Sequence, residues 1–275
     1  MNPNLSVLVE LCQEKNVPYT IVHESGNLVE VKSKKGEPYL FTIVATPFNC
    51  QSIETLCRDK EFFYDYYRET IQMPKTQGFV KPTDNEKWES YVKFPTIKAI
   101  IKEVEQNFSY PFIAKMNRGL QGKCVFKVTN QKELRQALTQ IYQKDYVALI
   151  QDYINIQAEY RLLYLQKKLM FAYKKNNENA VFTGNLSPLH WQGAFAEIVE
   201  NKELLKQFDH FIQPMLNKKN IPFCGLDIAI DQKENLWLIE GNCSPGFGYF
   251  LQNPKGIDLL KHLYLEMLKS LDVLE

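Results

Sequence analysis

Two acidic residues, Asp227 and Glu240, lie on opposite sides of a predicted turn in the apolar segment 224–246. A hairpin that is symmetric about the turn at 232–235 places these two carboxylates directly opposite each other. Strand alternation puts Asn242 on the same face as Glu240. Opposed like charges destabilise a sheet, so we expect a cation between them, and hard oxygen ligands suit Mg²⁺ or Mn²⁺. The alternative is a surface hairpin whose acids point to solvent.

A lysine and two glycines follow the predicted strand 110–115. Lys115 ends this strand, and Gly119 and Gly122 lie in the loop after it. Glycines let the backbone approach a ligand and direct N–H groups at phosphate oxygens, and lysine adds a point charge. The spacing matches neither a P-loop nor a dinucleotide-binding fingerprint. The segment predicts a phosphate-binding loop, and the alternative is a simple turn.

Polar residues also mark the connection between two later strands. An apolar strand ends in Asp152, Tyr153 and Ile154, and the next strand opens with Glu159 and Arg161. Taken alone, this segment is an ordinary strand connection with a solvated ion pair.

The segments between these residues predict an α+β protein. Apolar residues at helical spacing predict helices, and short apolar runs between turn residues predict strands. Helices are expected at about 5–12, 53–70, 97–108, 131–143, 196–218 and 256–271. Strands are expected at 19–23, 27–31, 39–45, 110–115, 124–128, 146–152, 160–165, 168–174, 226–231 and 236–241, with a linker at 76–88 and a polar loop that ends at 193. The symmetric hairpin also pairs Ala229 with Leu238 and Asp231 with Leu236, and Asn130 with Glu133 predicts a capping box.

Composition narrows the class of protein. The 275 residues are 45% hydrophobic and 24% charged, as in globular proteins. The formal net charge is +1, so nucleic acid is not expected as the main partner. The six cysteines form no C-x-x-C pair, which predicts free thiols and a cytoplasmic, reducing compartment. The N-terminal segment lacks the features of a signal peptide, and no apolar run has the length of a membrane span.

Taken in order, these segments resemble the ATP-grasp superfamily. The resemblance is closest to the RimK-type glutamate ligases, the glutathione synthetases and the ATP-grasp part of cyanophycin synthetase. It rests on the lysine and glycine flap at 115–125, the hinge at 152–161, Asp227 with the motif at 240–246, and the loop at 185–194. It implies an ATP-grasp fold, in which two α+β subdomains grip ATP, with a shortened N-terminal domain. The implied division is a small α/β domain at 1–52 and an ATP-grasp domain at 53–275, with a lid subdomain at about 90–153 and a metal-binding subdomain at about 154–275.

The resemblance also implies a role for each matched residue. Arg161 would stabilise an acyl phosphate, and Lys115 would act on the phosphate in transfer. Two ions would be held by Asp227, Glu240 and Asn242. ATP would be bound by Lys60, Lys115, Gly119, Gly122, Asp152, Tyr153, Ile154, Glu159, Lys175 and Asn185. The chain departs from the family pattern at Cys124, which replaces the last flap glycine, at Asp152, which replaces a glutamate, and at Lys175, where arginine is common.

The implied function is an ATP-dependent carboxylate–amine ligase that uses ATP and Mg²⁺ or Mn²⁺ and acts on small-molecule or peptide substrates. Two alternatives remain open: an ATP-grasp small-molecule kinase and a nucleotide-binding scaffold without turnover. Residues 1–52 are shorter than the domain that usually precedes the grasp. We therefore expect the loop 176–193, a second subunit or a peptide-sized acceptor to complete the wall of the site. A homodimer is the simplest assembly. Cys243 is expected to be a packed thiol, and His190 either contacts substrate or is incidental.

Overall fold

The computed structural model describes residues 1–83 and 85–275. The helices in these ranges are α1 (Pro3–Glu14), α2 (Gln51–Arg58), α3 (Lys60–Tyr67), α4 (Ile97–Asn107), α5 (Gln131–Ile141), α6 (Lys202–Lys218) and α7 (Pro254–Ser270). The strands are β1 (Tyr19–Ile21), β2 (Leu28–Lys32), β3 (Pro38–Thr42), β4 (Thr76–Val80), β5 (Phe112–Met116), β6 (Val125–Val128), β7 (Val147–Asp152), β8 (Ile156–Leu165), β9 (Lys168–Asn176), β10 (Phe195–Ile198), β11 (Phe223–Asp231) and β12 (Leu236–Asn242).

These strands form three antiparallel sheets. The first has the order β1-β2-β3, the second β4-β7-β5-β6, and the third β10-β9-β8-β11-β12. Helices and antiparallel sheets together give the α+β architecture that the sequence predicts.

One face of the five-stranded sheet is apolar, and the other face has an apolar part and a charged part. Leu162, Leu226 and Ile228 point to the first face and pack against α2, α3 and α6. On the second face, Leu163 and Phe223 pack against α1, α7 and the first sheet. Because alternate residues of a strand share a face, the charged residues of β8, β9, β11 and β12 continue this second face beyond its apolar end.

Helices α4 and α5 cover one face of the four-stranded sheet, and α3 approaches the other face at β4, where Glu61 Oε1 accepts from the Gly78 N–H at 2.8 Å. Phe112 and Ile150 pack on the first of these faces against Ile100 of α4 and Leu134 of α5. The alternate residues of β5, including Lys115, point away from these helices. Lys115 therefore points out of this sheet on the face opposite α4 and α5.

Three predicted elements differ from the structure. The helix expected at 53–70 is two helices, because the Asp59 carboxylate caps α3 by accepting from the Phe62 N–H at 3.1 Å. The linker expected at 76–88 contains β4 and a short 3₁₀ helix at Glu86–Tyr91. The long helix expected at 196–218 begins only at Lys202, because β10 occupies the preceding residues. One half of the predicted capping box of α5 is confirmed, since Asn130 Oδ1 accepts from the Glu133 N–H at 3.0 Å. The other half differs, because the Glu133 carboxylate accepts from the Thr129 N–H at 2.8 Å and not from that of Asn130.

The hairpin register confirms the central pair and corrects the others. Asp227 lies opposite Glu240. A register shift between Asp227 and Ile228 then pairs Ala229 with Trp237 rather than with Leu238. Leu236 lies opposite Ile230 rather than Asp231. A bulge and a turn displaced by one residue compensate each other at the Asp227–Glu240 end of the hairpin.

The prediction that all six cysteines are free thiols is wrong. Cys57 of α2 and Cys243 after β12 form a disulfide, with Cα atoms 6.1 Å apart. Their sequence separation of 186 residues hides this pairing from any local spacing rule. Cys12, Cys50, Cys124 and Cys224 are free. No helix in the described ranges combines the length and the apolar character that crossing a bilayer requires.

Candidate active site

A network of buried ion pairs surrounds the Asp227 carboxylate. Arg161 lies opposite Asp227 across the β8–β11 ladder. Its guanidinium binds both carboxylate oxygens, with Nε–Oδ1 at 2.6 Å and Nη2–Oδ2 at 2.7 Å. Lys175 of β9 donates to Asp227 Oδ2 at 2.8 Å and to Glu159 Oε2 at 3.1 Å. Four of the predicted site residues therefore form one connected cluster on the open face of the sheet.

Charge pairing outweighs burial in this cluster. Burial acts to raise the pKa of Asp227, but Arg161 and Lys175 hold that pKa well below its usual range. Burial acts to lower the pKa of Lys175, but Asp227 and Glu159 raise it above its usual value. Asp227 and Lys175 are therefore charged at neutral pH.

Glu240 is less enclosed than its neighbour Asp227. Its Oε2 lies 3.6 Å from Lys60 Nζ, and its side chain is 33% exposed. Lys60 Nζ also donates to the Gly119 carbonyl at 2.7 Å. The Asn242 Oδ1 accepts from the Ser244 N–H at 2.9 Å.

The oxygen donors fit a hard divalent ion. The Asp227 carboxylate accepts three hydrogen bonds and so keeps one of about four lone-pair sites. Glu240 forms no hydrogen bond among the described residues in which its carboxylate is the acceptor. In the same part of the chain, no three His, Cys, Asp or Glu side chains cluster as a metal site. The predicted ligand set therefore depends on two carboxylates and the Asn242 amide.

Lys115 of the four-stranded sheet lies near Glu159 and Glu240 of the five-stranded sheet. Its ammonium is buried and donates to Gln151 Oε1 at 2.9 Å. Burial lowers the pKa of Lys115 to about 8, and Lys60 acts in the same direction, whereas Glu240 and Glu159 act against it. The lysine that was predicted to contact phosphate is thus a buried cation that faces the acids of the other sheet.

The glycine loop contacts both sides of the cleft. On one side, the Lys60 ammonium holds the Gly119 carbonyl. On the other, Asn185 Nδ2 donates to the Gln121 carbonyl at 2.9 Å. Gly122 has φ +67°, and a Cβ there would overlap with Asn185 Oδ1. A larger residue at this position would therefore be strained and would have to displace the Asn185 side chain.

The departure at Cys124 has a structural counterpart. Cys124 has φ +52°, which is the left-handed conformation that glycine adopts most readily. The loop therefore keeps the backbone shape that a glycine would allow at this position.

The predicted hinge joins the two larger sheets. Asp152 ends β7, and its N–H donates to the Lys75 carbonyl at 2.9 Å. The Lys127 ammonium lies 4.0 Å from the centre of the Tyr153 ring. Ile154 is half-buried and precedes β8. The proposed adenine-binding residues thus lie where the chain passes from one sheet to the other.

The family assignment follows from the sequence match that spans this architecture. The RimK-like ATP-grasp domain family matches residues 53–267. The chain belongs to the RimK-like ATP-grasp family. This confirms the predicted family and the ATP-grasp fold.

Solved structures share the RimK-like chain's fold at low identity. The D-Ala:D-Ser ligase VanG of Enterococcus faecalis is 20% identical with a TM-score of 0.60, over 82% of this chain and 64% of that protein. A RiPP-associated ATP-grasp ligase of Chryseobacterium gregarium, solved with ADP and a leader and core peptide, is 13% identical with a TM-score of 0.56, over 83% and 64%. A bifunctional glutathione synthetase of Pasteurella multocida is 11% identical with a TM-score of 0.56, over 97% and 44%. The chain thus spans less than two thirds of each of these three proteins, and no curated protein matches it.

Two buried polar residues of the RimK-like site were not predicted. Gln151 accepts from Lys115 and donates through Nε2 to Thr76 Oγ1 at 2.9 Å. Thr76 fell in the segment that was expected to be a linker. The one available signal was a glutamine inside the otherwise apolar strand before the hinge.

The polar loop 176–193 contains a further contact that the sequence does not predict. His190 Nδ1 lies 3.1 Å from the Tyr249 hydroxyl, which follows the proposed metal motif. Burial lowers the pKa of His190, and Lys175 and Lys123 act in the same direction. His190 is therefore uncharged at neutral pH and links the loop 176–193 to the segment after β12.

Proposed function

We propose that this chain is an ATP-dependent carboxylate–amine ligase that forms an amide or peptide bond through an acyl phosphate. It activates an amino acid or peptide carboxylate and releases ADP and phosphate. The observation that carries the proposal is the meeting of two charged sheet faces. Lys115 of one sheet lies near Glu159 and Glu240 of the other, and Glu240 is paired across the hairpin with Asp227, within a chain of the RimK-like ATP-grasp family.

We also propose the division into domains that the ATP-grasp resemblance implies. Residues 1–52 form the small N-terminal domain, 53–275 the ATP-grasp domain, about 90–153 the lid subdomain and about 154–275 the metal-binding subdomain. ATP lies between the last two.

In this proposal, the residues bind and orient ATP at both ends. The backbone at 152–154 holds the adenine, and Glu159 holds the ribose. The phosphates lie against Lys60, Lys115 and Lys175. The remaining phosphate contacts come from Gly119, Gly122 and Asn185.

Transfer of the γ-phosphoryl group needs little covalent chemistry from the protein. Asp227, Glu240 and Asn242 would hold two Mg²⁺ or Mn²⁺ ions, which neutralise phosphate charge when bound. Arg161, which two hydrogen bonds to Asp227 hold in place, would stabilise the acyl phosphate through its positive charge. Preorganised charges of this kind are often the largest contribution to catalysis.

An acyl phosphate must be shielded from water until the amine attacks. The contact of Asn185 with the glycine loop closes the nucleotide side. We propose that the loop 176–193, together with a peptide-sized acceptor or a second subunit, closes the other side. Exposed Val181 and Phe182 give this loop an apolar surface for that contact.

The test is ATP-dependent hydroxamate formation with hydroxylamine across a panel of amino acids and short peptides. Hydroxylamine traps an acyl phosphate whatever the natural amine is. The compound of the panel that yields a hydroxamate is therefore the acid that the enzyme activates. Free phosphate is measured in the same wells. ATP consumption that yields a phosphorylated product without free phosphate would identify a kinase instead. Nucleotide binding without any turnover over the whole panel would identify a scaffold.

A further inference from the structure

The lysine that faces the acids is held by an uncharged partner. Lys115 and Gln151 are 7% and 6% exposed. Among the described residues, no carboxylate lies within ion-pair distance of the Lys115 ammonium, whose hydrogen-bond partner is the Gln151 amide. A buried lysine normally pairs with a carboxylate. The use of an amide here therefore calls for a physical reason.

Strand register brings the three polar side chains together. Gln151 lies directly opposite Thr76 on β4 and opposite Ile113 on β5. Lys115 is two residues further along β5, which makes it the diagonal neighbour of Gln151. Long side chains meet across such a diagonal.

Thr76 determines the direction of the hydrogen bonds that link Lys115, Gln151 and Thr76. The Thr76 hydroxyl donates its single hydrogen to the Pro74 carbonyl at 2.9 Å, and a carbonyl only accepts. Toward Gln151, the Thr76 oxygen is therefore an acceptor, and the amide must present Nε2 to it. The amide oxygen then has to face Lys115, whose ammonium only donates.

We infer that Gln151 is a positioning residue, held by Thr76, that directs the Lys115 ammonium at the phosphates of the nucleotide. One N–H of the ammonium is used by the amide, which leaves two for the ligand. Because the amide is neutral, it orients the lysine without cancelling its charge. A carboxylate at this position would compete with phosphate for the same cation. The inference rests on the proposed function, in which Lys115 binds ATP.

Substitutions at Gln151 separate orientation from charge. Gln151→Met has similar size and removes the acceptor, so the charged form of Lys115 loses stability and the pKa of Lys115 falls below about 8. Gln151→Glu keeps the shape but adds a negative charge at about the same place, so this pKa rises. ATP affinity is expected to fall in both variants, by about tenfold or more for Gln151→Met. Adenosine affinity should stay the same.

Other charges act on Lys115 from the elements around it. These are Lys60 of α3, Glu159 of β8 and Glu240 of β12. Its register neighbours on β6 and β7 are the uncharged Val125 and Leu149. All five are unchanged in both Gln151 variants, so a difference between the variants comes from position 151.

Thr76 supplies a matched pair of controls. Thr76→Ser keeps the hydroxyl and should leave ATP affinity and the Lys115 pKa near those of the wild type. Thr76→Val has nearly the same size but no acceptor, so it frees the amide to rotate and should weaken ATP binding about as Gln151→Met does.

Two measurements on the full chain test the inference. Calorimetry gives the affinities for ATP and adenosine, and ¹⁵N NMR of lysine-labelled protein follows the titration of Lys115, whose signal is assigned from its absence in Lys115→Met. Opposite pKa shifts in Gln151→Met and Gln151→Glu, with loss of ATP but not adenosine affinity, are the expected result. An unchanged Lys115 pKa in both variants would overturn the inference, and so would wild-type ATP affinity in either. Failure of the wild type to bind ATP more tightly than adenosine would instead refute the proposed phosphate site.

Discussion

Removing the negative charge of Asp227 should lower the free energy of unfolding of the metal-free protein much more than removing that of Glu240. The two carboxylates face each other, so repulsion alone would make either neutralisation harmless or stabilising. The structure changes this expectation for Asp227. Its side chain is 6% exposed and forms ion pairs with both Arg161 and Lys175. Glu240 has only a distant contact with Lys60 at 3.6 Å.

The magnitudes follow from these surroundings. Breaking a buried ion pair by removing one partner costs about 3–5 kcal/mol, so Asp227→Asn should lower the free energy of unfolding by roughly 3 kcal/mol or more. Partly exposed pairs contribute about 0–1 kcal/mol, so Glu240→Gln should change it little. At about 2–4 °C per kcal/mol, the midpoints should differ by roughly 5–15 °C. Both variants should lose turnover.

Thermal unfolding followed by circular dichroism, in buffer with a chelator, measures this difference. Because the pKa of Asp227 is lower in the folded state, its stabilisation is present above the unfolded pKa of about 3.9 and is lost as the pH falls through the folded value. The gap to Asp227→Asn should therefore persist from pH 7 to pH 5. Adding Arg161→Met to Asp227→Asn should recover part of the loss, since Asp227 is the one carboxylate that pairs with Arg161 among the described residues. Equal destabilisation by Asp227→Asn and Glu240→Gln would refute this reasoning.

Three further changes test other parts of the structure. Lys115→Met should weaken ATP binding by about 1.5–3 kcal/mol and leave adenosine binding unchanged in calorimetry, whereas an equal loss for adenosine would give the lysine a structural role only. Gly122→Ala and Gly184→Ala both place a side chain at positive φ, but only the Gly122 variant meets the facing loop. Limited proteolysis should therefore cut the glycine loop faster in Gly122→Ala alone. Alkylation of unfolded, unreduced protein should label four cysteines by mass spectrometry and spare Cys57 and Cys243; labelling of all six would contradict the disulfide.

Local connectivity decides which parts of the site were predictable. Asp227 and Glu240 are joined by one short hairpin, so a symmetric turn was enough to pair them, even though the turn and the bulge each deviate by one residue. The β5 strand and its lysine were predictable for the same reason, because an apolar run ends at a charged residue. Helix ends were harder. A single aspartate cap divided the helix expected at 53–70.

Contacts between distant elements could not be predicted in this way. The partners of Asp227 lie on β8 and β9, and their meeting depends on the strand order of the whole sheet. β4 was missed because its short, partly polar run gives a weak strand signal, and with it the role of Thr76 was missed. The Cys57–Cys243 pairing likewise requires α2 to lie against the end of β12.

The balance of charge in the cleft explains how it can be stable and still bind an anion. Arg161 and Lys175 are each paired with a buried carboxylate, and Lys60 has a nearby one. Lys115 is different, since its partner is the Gln151 amide. A phosphate that approaches Lys115 breaks no ion pair, and it adds a counter-charge to a cation that burial has made less stable. Of these four cations, Lys115 alone has no carboxylate partner among the described residues, so under the proposed function we expect it to contribute most to phosphate binding.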